Sequence, residues 1–257
     1  MTGIEGSTGS TIYANSVRSP GNEDPGLGFA AGPNLRTTTR MIRNARVDLA
    51  LHELRPATGS GHPLLMLHGL GEQSPSKIPD DLAGWPGGIW ALDFTGHGGS
   101  SVPAGGGYTC ELLMSDADAV LAVLGPLTIY GRGLGGYVGL LLGGARASDI
   151  KGLIIDDGPG IRGGGAEPGS QSLEGIGPGA AYAQATPDPF ALIELASDIR
   201  PPDYAARFVR LAVEGSALET AVAVVAVARP PWLTGLLAEY GVVESRLADT
   251  VRLFAGG

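Results

Sequence analysis

The sequence predicts an α/β protein built on a mostly parallel sheet covered by helices on both faces. Short apolar runs alternate with stretches of helical spacing, in the order strand, helix, strand. The apolar runs end in glycine-rich turns, where such a fold reverses its chain. At 257 residues the chain is long enough for one substantial core, and nothing in its composition suggests a second.

Each element can be justified in order. Residues 1–36 are rich in Gly, Ser, Thr, Asn and Pro without apolar periodicity, so they are expected to form a flexible tail, leaving 37–257 as the folded domain. "RMIRNARVDLALHEL" alternates, with Val47, Leu49 and Leu51 on one face, as a strand at the sheet edge paired with another before Asn44. "PLLMLHG" and "GGIWALDFTGHGGS" each contain a buried strand. Between Cys110 and Leu124 the spacing of Leu113, Val120, Leu121 and Leu124 is helical.

"LTIYGRGLGGYVGLLLGG" then reads as a strand feeding a helix from about Leu134, and "IKGLIIDDGPG" supplies a further strand. Gly158 to Pro187 is dense in Gly and Pro and reads as an irregular loop; helices follow near Pro189 and Pro202. "TAVAVVAVA" is a last strand candidate. From Trp232 to Ala255 the tail looks helical, which leaves little room for another strand.

Composition narrows the function classes. A net charge of -9 disfavours docking on phosphate backbones, so nucleic acid is not an expected partner. The longest apolar run, Ala221 to Ala228, falls short of the roughly 20 residues that span a bilayer, and no basic leader precedes an apolar core. A cytoplasmic protein without membrane contact is expected. The single Cys110 excludes an internal disulfide and offers no metal constellation. Lysine occurs only at Lys77 and Lys151 amid abundant arginine, a bias of GC-rich, actinobacterial-like codon usage.

Gly131, Gly133 and Gly136 spell G-x-G-x-x-G, and Asp156 and Asp157 end the next strand at about the distance of a ribose-binding acid. A dinucleotide-binding oxidoreductase is therefore one reading. The same stretch fits G-x-nucleophile-x-G, with Gly133 at the nucleophile position. "LLMLHGLGE" ending in His-Gly, "ALDFTGHGGS" with D-x-x-G-x-G-x-S, and this third turn occur in an order that a dinucleotide fold does not need.

Together the three motifs, from about Arg46 to Pro159, resemble the α/β-hydrolase superfamily. The resemblance implies an α/β-hydrolase fold with a lid insertion at about 158–218, and the helical tail implies a sheet truncated at its C-terminal strands. It also implies an oxyanion site built from backbone N–H groups around Gly69, Leu70 and Leu134. Two departures are plain. The nucleophile position is glycine, in this respect similar to the N-myc downstream-regulated proteins, and all four histidines, His52, His62, His68 and His97, precede the elbow although the family's histidine follows it.

The remaining candidates are weak as a mechanism. His68 is the substitute base nearest the elbow by analogy, and Asp156 or Asp157, with Asp157 preferred, could occupy an acid position. Ser100 and Ser101 sit at the second turn, where a structural role is the simpler reading. Arg132 precedes the elbow and could bind a carboxylate or phosphate, with Glu72 its simplest partner. The leading expectation is a non-catalytic or impaired hydrolase relative that binds a small anion without a cofactor; the rival is an ester or amide hydrolase or a lyase using a non-standard base such as His68.

Overall fold

A computed structural model of the protein describes residues 38–59, 61–167 and 186–256; the expected tail at 1–36 lies outside them. Eight strands form one sheet: β1 (Thr38–Asn44), β2 (Val47–Arg55), β3 (Leu64–Leu67), β4 (Ile89–Leu92), β5 (Leu127–Arg132), β6 (Ile150–Asp156), β7 (Val222–Val224) and β8 (Val242–Glu244). Their order is β1-β2-β4-β3-β5-β6-β7-β8. β2 is antiparallel to both neighbours and the other pairs are parallel. β3 and β4 are buried along their whole length, as parallel strands covered on both faces must be.

Among the described residues the sheet is joined by six α-helices, α1 (Cys110–Leu124), α2 (Leu134–Ala145), α3 (Pro189–Ser197), α4 (Pro202–Gly215), α5 (Pro231–Leu236) and α6 (Leu247–Ala255), and by a short 3-10 helix at Asp80–Leu82. α1 starts where Thr109 accepts the Leu112 N–H and stops at Gly125, whose φ is 74°. α2 is apolar all round because the sheet lies on one side and α1 and α4 on the other. Its close approach depends on Gly135, where a Cβ would lie 2.4 Å from the Leu67 carbonyl oxygen. Proline opens α3, α4 and α5 in the first turn, where its missing N–H costs no intrahelical bond.

The expected truncation is not found. Gly241, at φ 80°, breaks the helical-looking tail, and the chain re-enters the sheet as β8 beside β7 before forming α6. β7 is shorter than its apolar run because Val225 and Ala226 both turn their N–H groups to the Ile155 carbonyl. α4, in the segment expected to form a lid, packs against α2 as the crossover between β6 and β7. The glycine-rich part of that segment, 168–185, lies outside the described residues.

α6 docks on the sheet through Phe254, which is 3% exposed and sits over Gly152. A Cβ on Gly152 would lie 2.4 Å from the Phe254 ring, so this packing needs both residues. Phe254→Ala should therefore lower unfolding stability by about 3–5 kcal/mol in urea melts. Wild-type stability in that variant would mean that α6 does not seal this face.

Candidate functional site

Connections leave β3 and β5 toward opposite faces of the sheet, and their carboxyl ends form the switch point at which open α/β sheets bind ligands. Gly133 is the single residue between β5 and α2, with φ 51° and ψ −114°. This tight strand-to-helix turn has the form of a nucleophile elbow. Glycine suits it through its positive φ, and the surroundings also require it. A Cβ here would lie 2.1 Å from the Pro159 carbonyl oxygen and 2.5 Å from the Gly158 carbonyl carbon.

The two backbone donors expected to form an oxyanion site, at Leu70 and Leu134, both have an acceptor within the chain. The N–H groups of Leu70 and Leu134 each donate to the Pro159 carbonyl oxygen at 3.0 Å. The Pro159 carbonyl thus bridges the turn after β3 and the turn after β5. The Gly69 N–H donates to Glu72 Oε2 at 2.9 Å, and Arg132 binds the same carboxylate in a two-pronged contact, Nη2 to Oε1 at 2.9 Å and Nε to Oε2 at 3.3 Å. The expected anion site at Gly69, Leu70, Arg132 and Leu134 is therefore closed, because each donor identified there already has an acceptor. For the same reason the turn offers no cradle for a pyrophosphate, and the sheet order differs from the 3-2-1-4-5-6 of dinucleotide-binding folds.

Residues that the sequence analysis did not single out hold Pro159 in place. Arg200, 1% exposed, donates from Nη1 to the carbonyls of Gly160 and Ile161, with its guanidinium carbon 4.6 Å from the centre of the Tyr137 ring. Trp232 Nε1 donates to the Ile161 carbonyl at 2.7 Å. The backbone adds Gly164 N–H to Asp198 O and Arg200 N–H to Gly165 O, both 2.8 Å. The sequence offered one signal, an arginine directly before the Pro201-Pro202 pair, but its targets come from a loop forty residues earlier.

The histidines are committed to turns. His68 Nε2 accepts the Phe94 N–H at 3.1 Å, so the proton sits on Nδ1 and is donated to the Gly69 carbonyl at 2.7 Å. Burial, with the neighbouring His97 imidazole adding to it, depresses the His68 pKa to about 4. A buried ring with both nitrogens used is no general base for water, and the expected role of His68 is not supported. His97 likewise accepts the Gly71 N–H at Nε2 and donates from Nδ1 to the Thr95 carbonyl. His52 bridges Thr39 and Asp93 across the strands, and His62 bonds Thr128.

The carboxylates divide in the same manner. Asp157 accepts the Val227 and Ala228 N–H groups at 2.7 and 3.0 Å, fixing the exit from β7, so it is spent as a turn cap and not as a catalytic acid. Asp156 accepts from the Tyr130 hydroxyl at 2.6 Å and faces a cavity of about 430 Å³ beside the elbow. Burial and then Asp156 raise the Tyr130 pKa, so that hydroxyl keeps its proton. Burial would raise Asp93, but hydrogen bonds from His52, the Gly99 N–H and the Ser74 N–H outweigh it and hold it well below the usual range. Ser100 Oγ bridges the Asp93 carbonyl and the Ala50 N–H, and Ser101 Oγ accepts the Asp48 N–H. Cys110 is buried and its thiol pKa is pushed up by that burial. Among the described residues no group of His, Cys, Asp or Glu is arranged to hold a metal, and no helix is long and apolar enough to cross a membrane.

The sequence matches no protein-family model and no curated protein. Solved structures do match. The hypothetical protein PA1622 from Pseudomonas aeruginosa PAO1 aligns with a TM-score of 0.57 at 20% identity, over 85% of this chain and 98% of that one. The thioesterase domain from the curacin biosynthetic pathway aligns with a TM-score of 0.53 at 16% identity, over 86% and 98%. With the strand order, the single antiparallel β2 between its neighbours and the Gly133 turn at the end of β5, these alignments establish that the chain has the α/β-hydrolase fold.

Proposed function

We infer that this protein is a non-catalytic member of its fold class, which holds its former reaction centre shut and binds a small molecule in the adjoining cavity. The observation that carries the inference is the Pro159 carbonyl, which accepts both oxyanion-type N–H groups while Gly133 supplies no nucleophile. Covalent acyl transfer needs an activated hydroxyl or thiol, and removing the nucleophile of such a site costs about a millionfold in turnover. Here the acceptor position and the base are lost as well, since no histidine follows residue 97. A water-activating hydrolase or lyase would need a free base. His68 is neutral, buried and bonded at both nitrogens, which weighs against that rival. The expected cytoplasmic setting stays part of the proposal.

Serine-directed phosphonates and sulfonyl fluorides should leave the intact mass of the protein unchanged. A stoichiometric adduct on one serine would overturn the reading. Gly133→Ser should not create esterase activity, and it should destabilise the fold by at least the roughly 1–3 kcal/mol of a strained side-chain conformation. The Pro159 carbonyl blocks the new Cβ in addition. Efficient nitrophenyl ester hydrolysis by that variant would reveal a base and an open site.

The neutral state of His68 can be read from stability. Its folded pKa of about 4 lies below the ordinary histidine value of 6.5, so between these values the unfolded chain binds the extra proton and stability rises with pH. On these two values His68 contributes about 3 kcal/mol of that rise, complete above pH 6.5. Urea melts of wild type and His68→Gln from pH 4 to pH 7 should differ in slope by this contribution. Parallel curves would mean that His68 is not buried as a neutral ring.

A further inference from the structure

The cavity beside the elbow is walled on its charged side by Glu72, Asp81, Asp156 and Arg132. Arg132 is hydrogen-bonded to Glu72 and also feels the charge of Asp156, so one guanidinium serves two of the three carboxylates, while the hydrogen bonds to Asp156 come from neutral donors, the Tyr130 hydroxyl and the Asp157 N–H. Asp156 and Asp81 are thus left as two carboxylates whose charge the cavity's single guanidinium does not balance. His68, also in the wall, is neutral near pH 7. The lining also includes the apolar side chains of Met66, Pro75, Pro79 and Leu247.

The position of the cavity points to a ligand independently of its charge. It opens at the carboxyl ends of β3, β5 and β6, at the switch point, and its volume of about 430 Å³ lies within the range of small-molecule pockets. Leu247 reaches it from just beyond β8, across a connection of only Ser245 and Arg246.

We propose that the cavity binds a small organic cation, an amine with an apolar body, which places its ammonium group between Asp156 and Asp81 and its body against Pro75, Pro79 and Leu247. The proposal deepens the ligand-binding reading and rests on it. A carboxylate or phosphate would meet two unbalanced carboxylates and a guanidinium already committed to Glu72. An ammonium group would gain a charge-assisted hydrogen bond from each acid, and the Tyr130 hydroxyl would stay on Asp156. The protein's net charge of -9 adds long-range attraction for a cation.

The test uses the full chain with hexylammonium, hexanol and hexanoate as probes of one body and three heads, followed by thermal shift and titration calorimetry. Hexylammonium should raise the melting temperature saturably, hexanol should do so weakly and hexanoate not at all, since a ligand stabilises only the state that binds it. Asp156→Asn should weaken hexylammonium binding tenfold or more, the scale of one charge-assisted hydrogen bond. Asp81→Asn, on an exposed turn where folding is not at risk, should weaken it severalfold. Equal stabilisation by hexanoate, no binding of hexylammonium, or unchanged binding in both variants would overturn the proposal. These results are separable from failure of the non-catalytic reading, which is decided by adduct formation and esterase activity.

Discussion

One acceptor organises the centre of this protein. The Pro159 carbonyl oxygen takes hydrogen bonds from Leu70 at the end of β3 and from Leu134 at the start of α2. It thereby joins the two turns that the fold normally leaves apart for a substrate. Both N–H groups belong to buried residues, and a buried donor without a partner costs on the order of 1–3 kcal/mol. Here they are satisfied by the chain's own backbone. The glycine at position 133 follows from the same contact, because any side chain would meet that carbonyl.

The contact has to be held against the entropy of a glycine-rich loop, and Arg200 is the means. A guanidinium at 1% exposure is costly to desolvate. It is compensated by two carbonyls of the loop and by stacking on Tyr137, while Trp232 on α5 binds one of the same carbonyls. Residues from four separated parts of the chain therefore converge on a segment of three, Pro159 to Ile161. Such convergence on backbone atoms specifies one conformation of a segment whose own side chains specify almost nothing.

The polar residues nearby are explained by the same economy of donors and acceptors. His68 and His97 each use one ring nitrogen as donor and the other as acceptor, and burial lowers the pKa of both. Asp157 serves the turn after β7, and Glu72 serves both Arg132 and the Gly69 N–H. Asp156 lies in the wall of the cavity, where it accepts the Tyr130 hydroxyl. Only Ser245 and Arg246 separate β8 from α6, which brings Leu247 to the wall of that cavity.

The sequence by itself determined the fold class and the residues available at the turn after β5. Buried strands such as "LLML" and "IWAL", the glycine turns after them and the helical spacing of α1 are local patterns, because burial of one face of a strand or helix imposes a period on neighbouring residues. Gly133 and the absence of any histidine after His97 are likewise read directly. Only the tertiary structure decided what fills the site and what remains beside it. The Pro159 carbonyl, the Arg200 clamp and the pairing of Arg132 with Glu72 are contacts between backbone or side-chain atoms far apart in the chain, and a carbonyl is common to every residue, so no letter marks it. β8 was missed for a related reason: three residues paired only with β7 carry no period of their own, and Gly241 alone announces the break.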